Sequence, residues 1–202
     1  MLKPILARIS QPARYNLRNV LNTKAVSIIL GAAFVFLQKA LQMAIKDILL
    51  LGNPELYKTS IPVEESELEA LMPQIERMWD SILDIQKTYG FGRAIAAPQI
   101  GIRKRIIALF IKQPEAMINP KILEKSAEMF ELWDDCMSFP NLLVKVRRHR
   151  NIRISYFDLN WQLHEVFLEN EMSELIQHEY DHLDGILATQ RAIDSQSFRW
   201  KV

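Results

Sequence analysis

The sequence predicts an α+β fold built on antiparallel β-sheet. Several short apolar or alternating segments follow one another after residue 105 with no helical segment between them, which is typical of antiparallel rather than parallel sheets. The segment 67–88 instead repeats apolar residues every three or four positions, as an amphipathic helix does. With 202 residues, 49% of them hydrophobic, the chain is long enough for one domain with a sizeable core.

The first 42 residues differ from the rest. They carry six basic residues and no acidic one, with one apolar run, Ala25–Leu37. Thirteen residues are too few to cross a bilayer, which takes ~20, so stable membrane insertion is not expected. The segment is a targeting leader, an amphipathic surface helix, or sequence upstream of a true start at Met43. We assign 1–42 as an N-terminal extension and 43–202 as the domain, located in the cytoplasm, or in an organelle if the leader is genuine.

The first helix is predicted from about Glu67 to Thr88. Ser66 and Glu69 have the spacing of a capping box at its start. Pro73 conflicts with one unbroken helix, because proline removes a backbone donor and crowds the preceding turn. The helix is therefore expected either to kink at Pro73 or to begin just before it.

Six strands are predicted from β-branched and apolar content: 105–111, 116–118, 121–126, 142–146, 151–157 and 162–168. Asn119-Pro120 separates the second from the third, and a turn at Asp158–Trp161 separates the last two. Asn170 is expected to cap a second helix, Glu171–Leu183, which Gly185 ends.

The net charge of +1 and the single cysteine limit the classes of protein to which the chain can belong. A chain this close to neutral is not expected to be a dedicated nucleic-acid binder. One cysteine excludes an intrachain disulfide. Cys136 is therefore a packed core thiol, a nucleophile or a metal ligand.

The second predicted helix contains His178-Glu179-x-x-His182. Residues four apart project from the same helix face, so the two imidazoles can bind one metal ion. Glu179 lies beside them and can take a proton from water that the metal binds. The alternative is a charged, solvent-exposed helix end that contains two histidines by chance.

Cys136 is the candidate third ligand. A thiolate with two imidazoles leaves a fourth position for water, and this softer set accommodates Fe²⁺ as well as Zn²⁺. The alternative is a buried thiol with no ligand role. His149 and His164 have no comparable spacing and are interpreted as surface or strand histidines.

The segment 92–101 is rich in small residues, which permit close approach of the backbone to a ligand or another segment. Gln99 within it offers an amide donor that could stabilise a developing oxyanion. The alternative is an ordinary turn between a helix and a strand.

Together these segments resemble the signature motifs of the peptide deformylase family: A-A-P-Q at 96–99, C-M-S-F-P at 136–140 and Q-H-E-x-D-H-L-x-G at 177–185. They occur in the family's order, and the resemblance covers roughly residues 44–195. It implies a catalytic domain in which antiparallel sheets wrap the helix that bears HExxH.

The resemblance also implies chemistry. It implies one divalent metal ion, commonly Fe²⁺, on three ligands: Cys136, His178 and His182. It implies that Glu179 is the acid/base, and that Gln99 and the backbone N–H of Met137 hold the oxyanion. The implied substrates are formyl-methionyl peptides or nascent proteins, including those on the ribosome, which lose the N-formyl group as formate.

Some positions depart from the family pattern. Arg93 and Ala94 stand where the first motif has an apolar residue and a glycine, and Asp135 stands where the second motif has a glycine. The resemblance places that glycine along the substrate path, so Asp135 adds bulk and negative charge unless it points to solvent or pairs with a basic residue such as Arg93. Two alternatives stay open: a metal amidase with another substrate, and a non-catalytic deformylase-like binding protein.

Overall fold

Two helices and two sheets organise the computed structural model, which describes residues 47–201. The predicted extension 1–42 therefore lies outside the described residues. Helix α1 spans Leu68–Tyr89 and helix α2 spans Asn170–Leu183. No helix within 47–201 has the length and apolar character needed to cross a membrane.

Every strand pair in the two sheets is antiparallel. The strands are β1 (Ala94–Ala96), β2 (Ile106–Phe110), β3 (Pro114–Lys125), β4 (Met129–Asp135), β5 (Leu142–His149), β6 (Asn151–Phe157), β7 (Leu163–Glu169) and β8 (Phe198–Trp200). The larger sheet has the order β1-β2-β3-β6-β7, and the smaller one has the order β4-β5-β8. The predicted α+β class with antiparallel sheets is confirmed.

The larger sheet is covered on both faces. Alternate residues of β2 point in opposite directions: Ile106 packs in one apolar cluster with α1, whereas Ile107 packs in another with α2. Helix α2 also contacts β5 of the smaller sheet. It therefore lies between the sheets, which buries ten of its residues and explains how a helix with several charged side chains can be internal.

Helix α1 begins at Leu68, within one residue of the predicted start, but its cap differs from the prediction. A 3-10 turn, Glu65–Glu67, precedes it, and the Glu64 N–H donates to the Glu67 side chain at 2.8 Å. The Glu67 N–H donates in turn to the Glu64 carbonyl at 2.9 Å, so the capping contacts join Glu64 and Glu67, not Ser66 and Glu69. Pro73 lies inside the helix, in its second turn, where its missing N–H removes one intrahelical bond.

The predicted break at Asn119-Pro120 is wrong, because β3 continues through it. Asn119 adopts a positive φ of 51°, and the register with β6 shifts between Ile118 and Lys121, as at a β-bulge. The Asn119 side chain accepts from the Val63 N–H and donates to the Val63 carbonyl, both at 2.8 Å. The Asn-Pro pair, which predicted a turn, instead forms a β-bulge, and the Asn119 side chain fixes the segment at Val63.

The predicted cap of α2 is also wrong. Asn170 is the first helical residue, with φ 49°, and no side chain caps this end. Its Oδ1 instead accepts from Arg150 at 3.0 Å. The left-handed backbone turns the chain directly from β7 into the helix.

Candidate metal centre and substrate cleft

Helix α2 and the segment after β4 bring three metal-ligating side chains together. His178 and His182 lie one helical turn apart, with their Nε2 atoms separated by 3.2 Å. Cys136 directly follows β4, and its Sγ lies 3.3 Å from the His182 Nε2. All three residues are buried, and their ligand atoms lie within 4.8 Å of one another. The predicted candidates therefore meet at one point.

These distances fit a tetrahedral metal site. Two nitrogens at 2.0–2.1 Å from a tetrahedral ion are about 3.3 Å apart. One thiol and two imidazoles are the donor types that zinc and ferrous iron accept in proteins. The His182 Nδ1 has no hydrogen-bond partner within the described residues, so its ring is oriented by packing and by the cluster itself.

Asp134 orients the other histidine. Its Oδ1 lies 2.8 Å from the His178 Nδ1, and its Oδ2 accepts from Arg148 at 3.0 Å. Arg148 also donates to Asp181. Burial opposes ionisation of Asp134, but His178 and Arg148 outweigh it and lower its pKa to about 2. A carboxylate behind a ligating histidine fixes the ring and raises its basicity.

Sequence reasoning did not assign a role to Asp134 or Arg148. The sequence places Asp134 two positions before Cys136, but strand β4, which sets the direction of the Asp134 side chain, was not predicted. For Arg148 the sequence gives no signal, because its partners are 14 and 33 residues away.

Protonation of the two imidazoles is asymmetric. Burial opposes a charge on His178, yet Asp134 and Cys136 raise its pKa well above the ordinary value. Burial, reinforced by His178, lowers the pKa of His182 well below it. A divalent ion bound at these nitrogens would therefore compete with a proton on His178.

Glu179 presents a buried carboxyl group beside the cluster. Burial raises its pKa to about 7; Asp134 and Glu174 add to the rise, and His178 opposes it. Its Oε2 has no hydrogen-bond partner within the described residues. A carboxyl group that titrates near neutrality can both accept and return a proton.

Gln99 is held with its amide nitrogen towards Cys136. It lies in a 3-10 turn, Ala97–Ile100, where its Oε1 accepts from the Ala96 N–H at 2.8 Å. Its Nε2 is then directed to the Cys136 Sγ at 3.6 Å and the Ser138 Oγ at 3.3 Å. The hydrogen bond from the Ala96 N–H thus fixes the Gln99 amide with its donor nitrogen facing Cys136.

Met137 follows Cys136 in the turn after β4. In the part of the chain that the structure describes, no acceptor takes up its backbone N–H. Its side chain is buried among apolar residues. Two donors therefore lie next to Cys136: this N–H from its own turn and the Gln99 amide from the 3-10 turn.

A cleft of about 470 Å³ opens beside the cluster, with Cys136, His178 and Glu179 in its wall. Asp135 also lines the cleft. It pairs with a basic residue, as one alternative expected, but the partner is Lys201 at 2.8 Å. Arg93 pairs with Glu174 instead, at 3.3 Å. Sequence reasoning missed both Lys201 and Glu174.

The other two histidines lie elsewhere, on strands. His149, on β5, contacts the Ser126 carbonyl through Nδ1 at 2.7 Å. His164, on β7, pairs with Asp158 at 2.8 Å. Neither belongs to the cluster of ligand atoms.

Comparisons with a family model and with curated proteins identify the same family. The polypeptide deformylase family matches residues 45–198. Peptide deformylase 1 of Prochlorococcus marinus is 37% identical over 171 residues, which cover 77% of this chain and 85% of that protein. The peptide deformylase of Thermotoga neapolitana is 36% identical over 144 residues, or 70% of this chain and 84% of that protein.

Solved structures agree. The peptide deformylase from Thermotoga maritima has a TM-score of 0.66 at 34% identity and covers 73% of this chain and 97% of its own. A peptide deformylase from Synechococcus elongatus in complex with actinonin has a TM-score of 0.68 at 28% identity, covering 74% and 80%. The resemblance seen in the motifs thus extends over residues 45–198, and the chain belongs to the peptide deformylase family.

Proposed function

We propose that this protein is a metallohydrolase that removes the N-formyl group from formyl-methionyl peptides and nascent proteins and releases formate. Family membership supports this activity. The observation that carries it is the meeting of one thiol and two imidazoles beside the buried Glu179 carboxyl at the wall of one cleft.

The proposed ligands of one divalent ion are Cys136, His178 and His182. Fe²⁺ is the proposed ion, and Zn²⁺ is the alternative that the same donors accept. When bound, such an ion lowers the pKa of a water molecule and polarises the formyl carbonyl. Asp134 supports the site by holding the His178 ring through Nδ1.

The chain's own residues then move the protons. Glu179 takes one from the attacking water as the oxygen adds to the formyl carbon. The Gln99 amide and the Met137 N–H donate to the carbonyl oxygen as it becomes charged. Glu179 returns its proton to the leaving nitrogen as the C–N bond breaks, so the products are formate and a free amino group.

The substrate partners we propose are formylated N-termini, including those emerging from the ribosome. The proposed location is the cytoplasm, or an organelle if residues 1–42 are a leader. The proposed catalytic domain is 43–202. The cleft stays open although Asp135 is among its lining residues, which argues against a site blocked at Asp135.

The decisive experiment couples anaerobic metal analysis of the full chain to formate release from formyl-Met-Ala-Ser. We expect about one ion per chain and formate release. Alanine at Cys136, His178 or His182 should remove the ion, whereas His164→Ala, on β7, should retain it. Metal-loaded protein that releases no formate from any formylated peptide would disprove the activity, and full metal content in Cys136→Ala would disprove the ligand set.

A further inference from the structure

A network of four alternating charges connects the metal cluster to the protein surface. Asp134, which contacts His178, pairs with Arg148 at 3.0 Å, and Arg148 donates to Asp181. Asp181 in turn accepts from Arg191 at 2.8 Å. Side-chain exposure rises along the network from 2% at Asp134 to 46% at Arg191. We refer to Asp134, Arg148, Asp181 and Arg191 as the ion-pair network.

Arg148 depends on two carboxylates for its position. The residue is buried, and its Nε has no hydrogen-bond partner within residues 47–201. The side-chain hydrogen bonds that it does make in this range go to Asp134 and Asp181. A shift of either carboxylate therefore changes the contact that Arg148 makes with the other.

Arg191 holds one of these carboxylates at two points. Its Nη2 donates to the Asp181 Oδ1 at 2.8 Å, and its Nε donates to the Oδ2 at 3.3 Å. A planar guanidinium that contacts both oxygens fixes a carboxylate more firmly than a single donor does. Arg191 ends a 3-10 turn, Ala188–Arg191, and the next residue, Ala192, bridges to Val146 on β5. The arginine is thus anchored beside the strand that carries Arg148.

Removal of the Arg191 guanidinium would leave one cation in the network for two buried carboxylates. Arg148 would then be the one side chain that donates to Asp181 among the residues that the structure describes. A buried carboxylate that loses a partner is costly, so Arg148 would be drawn towards Asp181 and away from Asp134. Asp134 would lose part of the support that keeps its Oδ1 2.8 Å from the His178 Nδ1.

We propose that Arg191 is a positioning residue for the metal centre. It acts on the His178 ring through the other three members of the ion-pair network. The proposal rests on the proposed ligand set, to which His178 belongs. It assigns a role to an exposed arginine that lies outside the three signature motifs and whose side-chain hydrogen bonds, within the described part of the chain, all go to Asp181.

The test measures metal binding by the full chain and needs no turnover. Zn²⁺, which has no redox chemistry, is titrated into the metal-free protein in competition with a chelator. We expect Arg191→Met to raise the dissociation constant about three- to tenfold, less than the 10–100-fold typical of a group that contacts a ligand directly. Arg191→Lys keeps the charge without the two-point contact, so its dissociation constant should lie between those of the wild type and Arg191→Met. An unchanged constant in Arg191→Met would overturn the proposal.

Arg147→Met is the matched control. Arg147 precedes Arg148 on β5, its side chain is 55% exposed, and it pairs with Glu131 at the same 2.8 Å. Glu131 belongs neither to the ion-pair network nor to the cluster of ligand atoms. We therefore expect Arg147→Met to bind Zn²⁺ as tightly as the wild type does. An equal rise of the dissociation constant in both methionine variants would refute a specific role for Arg191.

A double-mutant cycle separates this role from a general effect on folding. If Arg191 acts through Asp134, Arg191→Met should change the dissociation constant of Asp134→Asn by less than about twofold, because residues in one network are not additive. Losses of affinity that add in the double variant would refute the route through Asp134. A lower unfolding free energy of metal-free Arg191→Met, with an unchanged dissociation constant, would show a purely structural role and refute the proposal.

His178→Ala keeps this proposal distinguishable from the proposed ligand set. If His178→Ala binds Zn²⁺ as tightly as the wild type does, the ligand set is wrong, and the role of Arg191 falls with it. If His178→Ala loses Zn²⁺ whereas Arg191→Met binds it with the wild-type dissociation constant, the ligand set stands and only the role of Arg191 is refuted.

Discussion

The Lys201 ammonium lies 2.8 Å from the Asp135 carboxylate and 3.6 Å from the centre of the Phe91 ring. Asp135 occupies a place where the family motif has no side chain, and Lys201 compensates its charge. We expect Lys201→Ala to lower kcat/KM two- to fivefold for formyl peptides with an acidic second residue, within the range of a partly exposed ion pair.

The double variant Lys201→Ala/Asp135→Asn supplies the control for that prediction. It removes both charges and should return the acidic-to-neutral substrate ratio to the wild-type value. If the single and double variants behave alike, Lys201 does not act through Asp135.

Asp134→Asn should weaken metal retention without removing a ligand. The change weakens the contact that orients His178 and leaves Arg148 with one buried carboxylate fewer. Loss of such a supporting carboxylate typically costs 10–100-fold in metal affinity. Competition with a chelator measures it, and Asp158→Asn, beside His164 on the surface at the same 2.8 Å, should show no change.

Glu179→Gln should stabilise the metal-free protein at high pH. The folded-state pKa of Glu179 is raised to about 7, against about 4.3 in an unfolded chain. The free-energy penalty of ionising Glu179 in the folded state is therefore absent below pH ~4, grows between pH ~4 and ~7, and is complete above pH ~7, where it is on the order of 4 kcal/mol.

Chemical denaturation of chelator-treated wild type and Glu179→Gln at pH 5 and pH 8 measures this difference. The variant's advantage in unfolding free energy should be larger at pH 8. A constant difference would mean that Glu179 does not carry the raised pKa. The metal-loaded variant should separately lose 10²–10⁴-fold in turnover while retaining its ion.

Gly185→Ala should destabilise the fold more than a change at any ordinary surface glycine. Gly185 has φ 73°, and a Cβ there would lie 2.5 Å from the Tyr57 carbonyl oxygen. Gly90 has nearly the same φ, 74°, but open space around it. We expect about 3 kcal/mol of destabilisation for Gly185→Ala and about 1 kcal/mol for Gly90→Ala; equal losses would contradict the close approach.

The elements that the sequence predicted correctly are those long enough to show a repeating pattern. Helix α1 and strands β5, β6 and β7 have enough residues to reveal a period. Strand β4 was not predicted because its charged residues obscure the alternation of apolar and polar positions. Glu131 forms ion pairs with Lys145 and Arg147 across the sheet, and these contacts exist only in the tertiary structure. The three-residue strands β1 and β8 are too short to show any period.

Local sequence patterns also predict only part of the candidate site. Spacing on one helix predicts that His178 and His182 converge. The single cysteine and the segment of small residues made Cys136 and Gln99 candidates, and the resemblance then implied a role for each. The groups that support or surround them come from distant segments, as when Lys201 reaches Asp135 across 66 residues. No local pattern encodes such pairs, because each requires the two sheets to be in place first.

The Cys136–His182 contact also has a mechanical consequence. These residues are 46 positions apart, and an ion shared between them would close that stretch of chain into a ring, as a disulfide does in proteins with two cysteines. Chelation would open the ring reversibly, whereas over-oxidation of the lone thiol would open it for good. Oxidative inactivation and loss of thermal resistance should therefore follow a single time course.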